Sequence, residues 1–188
     1  MKGKNTMKKV VLLGDSIREI GYGSRVPEIL GEEYSVWQPP ENCRFALYTL
    51  RMTFDYRPWM EGADVIHWNN GLWDVCDLFG DGAFTPMEQY CDTMVRIARI
   101  LKGYAKTVIF ATTTPTDAEM PGHSHDRLVA YNKAVVERLQ AEGIVINDLF
   151  SVIDADIPKY ICADHIHLSK EGIEVAANQV AEAIRQYA

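Results

Sequence analysis

Short, largely apolar runs alternate along the chain with longer segments of helical periodicity. The runs lie at residues 10–13, 34–37, 64–68, 107–111 and 144–146. Unbroken apolar runs, unlike runs that alternate with polar residues, are typical of strands that a parallel sheet buries on both faces. The pattern therefore predicts an α/β fold in which helices cover both faces of a parallel sheet, a three-layer α/β/α sandwich.

The segments between these runs carry helix signals. Helices are predicted at 24–31, at 44–54, from 85 onward, through 128–139 and after Ser169; residues 75–84 and 147–164 are predicted to be connections. Thr85 is the expected N-cap of the third helix, with Pro86 in its first turn and Glu88 completing a capping box. One apolar face of that helix follows at helical spacing, formed by Tyr90, Met94, Ile97 and Leu101.

Length and charge narrow the class of protein. The 188 residues suit one domain, which we place at 8–188 behind a loose N-terminal tail at 1–7. The net charge of −7 argues against nucleic acid and anionic membranes as partners. No apolar stretch approaches the roughly 20 residues of a membrane span. Four scattered cysteines without C-x-x-C spacing favour reduced thiols and a cytoplasmic location. The oligomeric state cannot be predicted.

The first candidate motif follows the first strand directly. Val10–Leu13 leads into Gly14, Asp15 and Ser16. Gly14 permits a sharp turn, so Ser16 should lie just beyond the carboxyl end of the strand, where open α/β sheets bind their ligands. Taken alone, Asp15 and Ser16 could simply cap the next helix. No glycine-rich phosphate-binding motif follows this strand, which excludes the common nucleotide-binding loops.

A second motif lies about 150 residues downstream, at Asp164, His165, Ile166 and His167. An Asp and a His three residues apart in one loop can face the same point, with the His as general base and the Asp fixing its tautomer. The order Ser, Asp, His is that of the α/β-hydrolases, although their G-x-S-x-G elbow is absent here. Asp164, His165 and His167 could alternatively ligate a metal, but the sequence offers no further cluster of ligands.

The two motifs together resemble those of the SGNH (GDSL-type) esterase and acylhydrolase superfamily. Residues 14–17 resemble the first conserved block of that superfamily. Asp164 to His167, followed by Leu168-Ser169-x-x-Gly172, resembles its last block. Weaker matches lie at 71–74 and 113–115. The resemblance implies a flavodoxin-like five-stranded sheet of order 2-1-3-4-5. It also implies Ser16 as nucleophile, His167 as base and Asp164 as orienting acid, without a metal or another cofactor.

Two blocks depart from the family pattern where the oxyanion hole would form. The third block is usually Gly-x-Asn-Asp, but Trp73 stands in the Asn position, which leaves the upstream Asn69 or Asn70 to supply an amide. The second block usually carries a Gly, whereas here the chain has Asn42-Cys43-Arg44. A backbone N–H does not require Gly. The candidate donors are therefore Ser16, Cys43 or Arg44, and Asn69 or Asn70.

These motifs predict a serine esterase that cleaves a small acyl ester through an acyl-serine intermediate. The absence of an apolar lid favours short acyl groups, for example on O-acetylated carbohydrate. Candidate substrate-pocket residues are Asp15, Trp73 and His165, although Asp15 could instead bond nearby amides. His67, within a strand, is expected in the core, and His123 and His125 in solvent or at a substrate-edge loop. Two alternatives stay open: a non-catalytic carbohydrate- or ligand-binding protein on the same fold, and a metal-dependent hydrolase.

Overall fold

The computed structural model describes residues 7–188 and contains one parallel sheet. Its strands are β1 (Lys8–Leu13), β2 (Tyr34–Trp37), β3 (Ala63–Asn69), β4 (Ala105–Ala111) and β5 (Val145–Asn147). They are ordered β2-β1-β3-β4-β5, so the predicted fold class and strand order are confirmed. In the register, Val10 of β1 lies between Val36 of β2 and Val65 of β3. Met7 precedes β1 and is exposed, whereas the rest of the tail predicted at 1–7 lies outside the described residues.

Helices connect and cover the strands. A turn of π-helix (Ile17–Gly21) and a 3-10 turn (Tyr22–Ser24) precede α1 (Val26–Leu30). The remaining helices are α2 (Ala46–Asp55), α3 (Arg57–Met60), α4 (Leu72–Val75), α5 (Met87–Lys102), α6 (His125–Ala141), α7 (Leu149–Asp154), α8 (Ile157–Tyr160) and α9 (Lys170–Tyr187). Helices α2, α5 and α6 pack together, as do α1, α7 and α9, which gives the two helical layers. None of the helices in residues 7–188 is long and apolar enough to cross a bilayer.

The core follows the predicted pattern of buried residues. Val10–Leu13 is almost fully buried, as expected for a strand flanked by two others and covered on both faces. The predicted apolar face of α5 is also confirmed, with Tyr90, Met94, Ile97 and Leu101 buried. His67 is a core residue as predicted, and its Nε2 accepts a hydrogen bond from Asn147 Nδ2 at 3.1 Å. Burial lowers the pKa of His67 to about 3.

Of the two N-caps predicted from the sequence, the one at Ser169 is confirmed and the one at Thr85 is wrong. Ser169 caps α9 as predicted, since its Oγ accepts the Gly172 N–H at 3.0 Å. The capping box at Thr85 is wrong: Pro86 holds the N-cap position, and the Thr85 hydroxyl instead donates to Asp74 Oδ1 at 2.7 Å. The connection predicted at 147–164 contains the two short helices α7 and α8.

Candidate active site

Ser16 lies just past the carboxyl end of β1 and precedes the π-helical turn at Ile17–Gly21. It is half-buried, and its backbone is helical with φ −62° and ψ −25°. Gly14 lets Asn69 pack against this segment, because a Cβ there would lie 2.0 Å from Oδ1 of Asn69. A π-helical turn is rare and is found often at functional sites. The sequence had no signal for it beyond the position of the motif.

Asp15 is fully buried and does not face a pocket, so its place among the pocket candidates is corrected. Its Oδ1 accepts the Ile17 N–H at 3.0 Å and the Asn69 amide at 2.8 Å, which is the structural role that the sequence offered as the alternative. Its Oδ2 has no hydrogen-bond partner among the described residues. Desolvation outweighs these hydrogen bonds and raises the pKa of Asp15 to about 6.

Asp164 and His167 form a hydrogen-bonded pair in a short hairpin. The hairpin is closed by an antiparallel bridge between Ile161 and Leu168. His167 Nδ1 lies 2.7 Å from Asp164 Oδ2. Because a carboxylate can only accept, the neutral imidazole carries its proton on Nδ1 and leaves Nε2 as an acceptor. The spacing of three residues thus gives the predicted Asp–His contact.

Asp164 is held as a carboxylate by its other contacts. Its Oδ1 accepts the N–H groups of His167 at 2.9 Å and Ile166 at 3.1 Å, and lies 3.0 Å from the thiol sulfur of Cys162. Desolvation opposes ionisation, but the hydrogen bonds from Cys162, His167 and Ile166 outweigh it and hold the pKa of Asp164 well below its usual range. The sequence did not predict a role for Cys162.

The loop that carries His167 lies at the same edge of the sheet as Ser16. The N–H of Asp117, in the connection that follows β4, donates to the His165 carbonyl at 2.9 Å. On the other side, a Cβ on Gly21 of the π-helical turn would lie 3.5 Å from Leu168. Within residues 7–188, no hydrogen bond joins Ser16 Oγ to His167 Nε2, so the structure brings the two residues to one edge without connecting them.

The backbone donor expected in the second block is already in use. The Cys43 N–H donates to the Gly14 carbonyl at 3.0 Å, and the Arg44 N–H donates to Asn42 Oδ1 at 2.7 Å. Cys43 is therefore corrected as an oxyanion-hole candidate, because its N–H holds the second block against the end of β1. Arg44 has a positive φ of 51°, a conformation that favours the Gly expected there.

The two asparagines at the end of β3, Asn69 and Asn70, are buried and hydrogen-bond to the residues around the site. Asn69 donates its amide to Asp15 and accepts from the Tyr22 hydroxyl at 2.7 Å. Asn70 donates its amide to the Arg44 carbonyl at 2.8 Å and accepts from the Trp68 indole at 2.9 Å. Each Nδ2 carries two hydrogens and uses one of them, so one N–H of each amide has no partner among the described residues.

A cavity of about 270 Å³ opens beside these elements. Of the predicted pocket residues, Trp73 lines this cavity and His165 does not; the His165 ring instead lies 3.4 Å from Asp117 and 3.7 Å from Glu119. His123, for which solvent was the first expectation, lines the cavity, and Phe45, Phe84 and Ile166 were not predicted to.

The described residues contain no group of three or more His, Cys, Asp and Glu side chains placed to hold a metal ion. In particular, His165 has a positive φ of 67°, and its ring lies beside Asp117. The three residues that formed the alternative metal site are therefore not brought together.

The sequence matches no protein-family model and no curated protein. Solved structures do match. A lipase/acylhydrolase from Enterococcus faecalis superposes with a TM-score of 0.81 at 19% identity, over 96% of each chain. An acetyl xylan esterase superposes with a TM-score of 0.75 at 20% identity, over 94% of this chain and 99% of that chain. The chain has the fold of this lipase/acylhydrolase and this esterase. This is the fold that the sequence motifs predicted.

A third match is an acetylxylan esterase from Geobacillus stearothermophilus, with a TM-score of 0.78 at 15% identity, over 95% of this chain and 94% of that chain. Two further structures of that enzyme are described as catalytic mutants, one with a histidine and one with a serine replaced by alanine. At these identities the matches establish the fold, and the chemistry of this chain has to be argued from its own residues.

Proposed function

We propose that the protein is a serine ester hydrolase that acts on small-molecule esters through an acyl intermediate on Ser16. The observation that carries the proposal is the Asp164–His167 pair, joined at 2.7 Å, in a loop at the same sheet edge as Ser16. The matched structures support it, since they are described as esterases and a lipase/acylhydrolase. In one of them a serine and a histidine are the residues replaced in catalytic mutants.

In the proposed reaction, Ser16 Oγ attacks the ester carbonyl carbon while Nε2 of His167 takes the hydroxyl proton. Asp164 stabilises the imidazolium that results. The tetrahedral intermediate then collapses, the C–O bond to the alcohol breaks, and His167 returns the proton to the departing alcohol. A water molecule attacks the acyl-serine in the same way and releases the carboxylic acid.

Two kinds of donor can hold the oxyanion in this scheme. The first is the Ser16 N–H, which donates to no acceptor among the described residues. The second is the remaining amide N–H of Asn69 or Asn70, since the Cys43 N–H is occupied. Such donors matter because loss of one typically slows the reaction about 100- to 1000-fold.

The substrate proposed from the sequence is a short acyl ester, for example on O-acetylated carbohydrate. Two of the matched structures are described as acetylxylan esterases, which supports acetyl transfer to water on this fold. A fold does not dictate its substrate, however.

The first test compares hydrolysis of p-nitrophenyl acetate by wild type, Ser16→Ala and the control Ser35→Ala. Ser35 is exposed on β2, away from the motif. We expect Ser16→Ala to lose at least about 1000-fold in kcat and Ser35→Ala to stay within about twofold of wild type. A fluorophosphonate should also label Ser16 covalently, as detected by mass spectrometry. Equal activity of all three proteins would overturn the proposal.

Two observations favour a second candidate, a ligand-binding protein on the same fold. No hydrogen bond joins Ser16 to His167 among residues 7–188, and the second-block N–H is occupied. A binding protein would not hydrolyse p-nitrophenyl acetate and would not be labelled at Ser16. Activity that is lost in chelator and kept in Ser16→Ala would instead indicate the metal-dependent alternative.

A further inference from the structure

The cavity beside the candidate active site is lined almost entirely by apolar side chains. Its volume is about 270 Å³, and its walls are formed by Phe45, Leu72, Trp73, Cys76, Leu78, Phe84, His123 and Ile166. The one titratable imidazole among them is turned toward the backbone: His123 Nε2 lies 3.0 Å from the Leu72 carbonyl and Nδ1 lies 3.2 Å from the Pro121 carbonyl. The cavity therefore offers contact surface and few polar groups to a ligand.

The walls of the cavity come from the segments that surround the proposed scissile bond. Ile166 directly precedes the candidate base His167. Leu72 and Trp73 belong to the third block, and Phe45 follows the second block. Neither Ser16 nor His167 lines the cavity, but Ile166 does, so an ester held at His167 can extend one end toward it.

Large apolar side chains also stand exposed at the cavity mouth. The exposed fractions are 44% for Trp73, 61% for Leu78 and 47% for Phe84. The segment that carries Leu78 and Phe84 is anchored at its base, since Phe84 N–H donates to the Cys76 carbonyl at 2.8 Å. Contiguous exposed apolar surface around a concave site is typical of ligand-binding grooves.

We infer that the protein selects esters with an unbranched apolar group of about six carbons on one side of the scissile bond. This inference rests on the proposed function. An apolar cavity of about 150 Å³ is enough to take up benzene, so one of about 270 Å³ can hold a longer chain. An acetylated sugar has a two-carbon acyl group and a polar alcohol, and neither would fill this cavity.

The experiment compares initial rates of proton release from ethyl acetate, ethyl hexanoate and hexyl acetate. The last two are isomers, so they share hydrophobicity and differ only in whether the acyl or the alcohol side carries the chain. Each buried methylene should raise kcat/KM about fourfold, and each isomer has four more methylenes than ethyl acetate, so one isomer should exceed ethyl acetate by about 200-fold. The faster isomer identifies the side. If the kcat/KM values of both isomers stay within about threefold of that of ethyl acetate, the inference is overturned, whereas the proposed esterase function is retained.

A pair of neighbouring substitutions ties the preference to this cavity. Leu78 lines it, whereas the adjacent Phe79, 81% exposed, does not. Leu78→Asp places a carboxylate at the mouth and should lower the preference for the faster isomer over ethyl acetate by about tenfold. Phe79→Asp adds the same charge one residue away and should leave the preference for the faster isomer over ethyl acetate unchanged. Equal effects of the two substitutions would contradict the assignment of the cavity.

Failure of the proposed function gives a different result from failure of the inference. If wild type hydrolyses none of the three esters, the proposed function fails, and the cavity is tested by titrating hexanoate into Ser16→Ala and into Ser16→Ala with Leu78→Asp. Binding that Leu78→Asp weakens would support an apolar-chain site. No binding at about 10 mM, weaker than the usual affinity of a small-ligand site, would overturn it.

Discussion

His167 presents Nδ1 to Oδ2 of Asp164 at 2.7 Å, and the same carboxylate accepts the His167 backbone N–H through Oδ1 at 2.9 Å. The two residues are therefore locked to each other by both side chain and backbone. This double contact fixes the ring and the tautomer, so that Nε2 is the nitrogen available to a substrate or to Ser16.

Asp164→Asn should abolish most of the ester hydrolysis while the protein stays folded. An amide at this position can donate to Nδ1, which favours the wrong tautomer of His167, and losses of about 10,000-fold in kcat are known for such a change. The measurement is kcat with p-nitrophenyl acetate, with circular dichroism to verify folding. Asp156→Asn, at an exposed position before α8, is the matched control and should keep wild-type kcat. A loss of less than about tenfold in Asp164→Asn would argue against the Asp–His pair as catalytic.

Cys162 should act as a positioning residue through its thiol, which lies 3.0 Å from Asp164 Oδ1. Cys162→Val removes the donor, and kcat/KM should fall by about three- to tenfold, a modest loss because Asp164 is half exposed and keeps its other hydrogen bonds. Cys162→Ser keeps a donor and should restore most of the activity. Equal losses in both variants would indicate that packing, and not the hydrogen bond, is what Cys162 contributes.

The features that the sequence predicted well are set by neighbours along the chain. Val10–Leu13 forms a buried strand because its own apolar run requires it. Asp164 and His167 meet because they lie three positions apart in one hairpin. Ser169 caps α9 through the N–H of Gly172. In each case the interacting groups lie within a few residues, so spacing alone is informative.

The features that the sequence did not predict depend on partners far away in the chain. The Cys43 N–H is occupied because the Gly14 carbonyl is 29 residues away in sequence and adjacent in space. Thr85 fails as a cap because the buried Asp74 competes for its hydroxyl. His165 leaves the predicted pocket because Asp117 and Glu119 lie beside it. Tertiary contacts decide which local hydrogen bond forms, and no single-sequence pattern encodes that choice.

Gly14→Ala should damage the site through the core beneath it. The added Cβ would lie 2.0 Å from Asn69 Oδ1 and 2.7 Å from the Arg18 Cβ, and Asn69 in turn holds Asp15. We expect a loss of about 2 kcal/mol or more in the free energy of unfolding, measured by urea denaturation, together with reduced ester hydrolysis. Gly103→Ala, at the C-cap of α5 with φ −75°, is the control and should cost much less. Comparable losses in both variants would contradict the close packing at Gly14.

Asp74 should make the protein less stable as the pH rises from about 4 to 7. Its side chain is buried, and desolvation outweighs its hydrogen bonds with Thr85 and Ala46 to raise its pKa from 3.8 to about 7. In this window the unfolded chain has released a proton that the folded protein still binds, so stability falls with increasing pH and levels off above pH 7. A pKa shift of this size corresponds to a change of up to about 4 kcal/mol in the free energy of unfolding.

Asp74→Asn tests this directly, because the amide oxygen can still accept from the Ala46 N–H but does not titrate. Urea denaturation at pH 5 and pH 8 should give a smaller decrease in stability for Asp74→Asn than for wild type. Asp15 and His67 also have shifted pKa values, but both are present in the two proteins, so most of their contribution cancels in the comparison. Asp81→Asn, which removes an exposed carboxylate, should behave as wild type. If Asp74→Asn keeps the wild-type decrease, the carboxyl group of Asp74 is not the one that retains its proton in the folded protein.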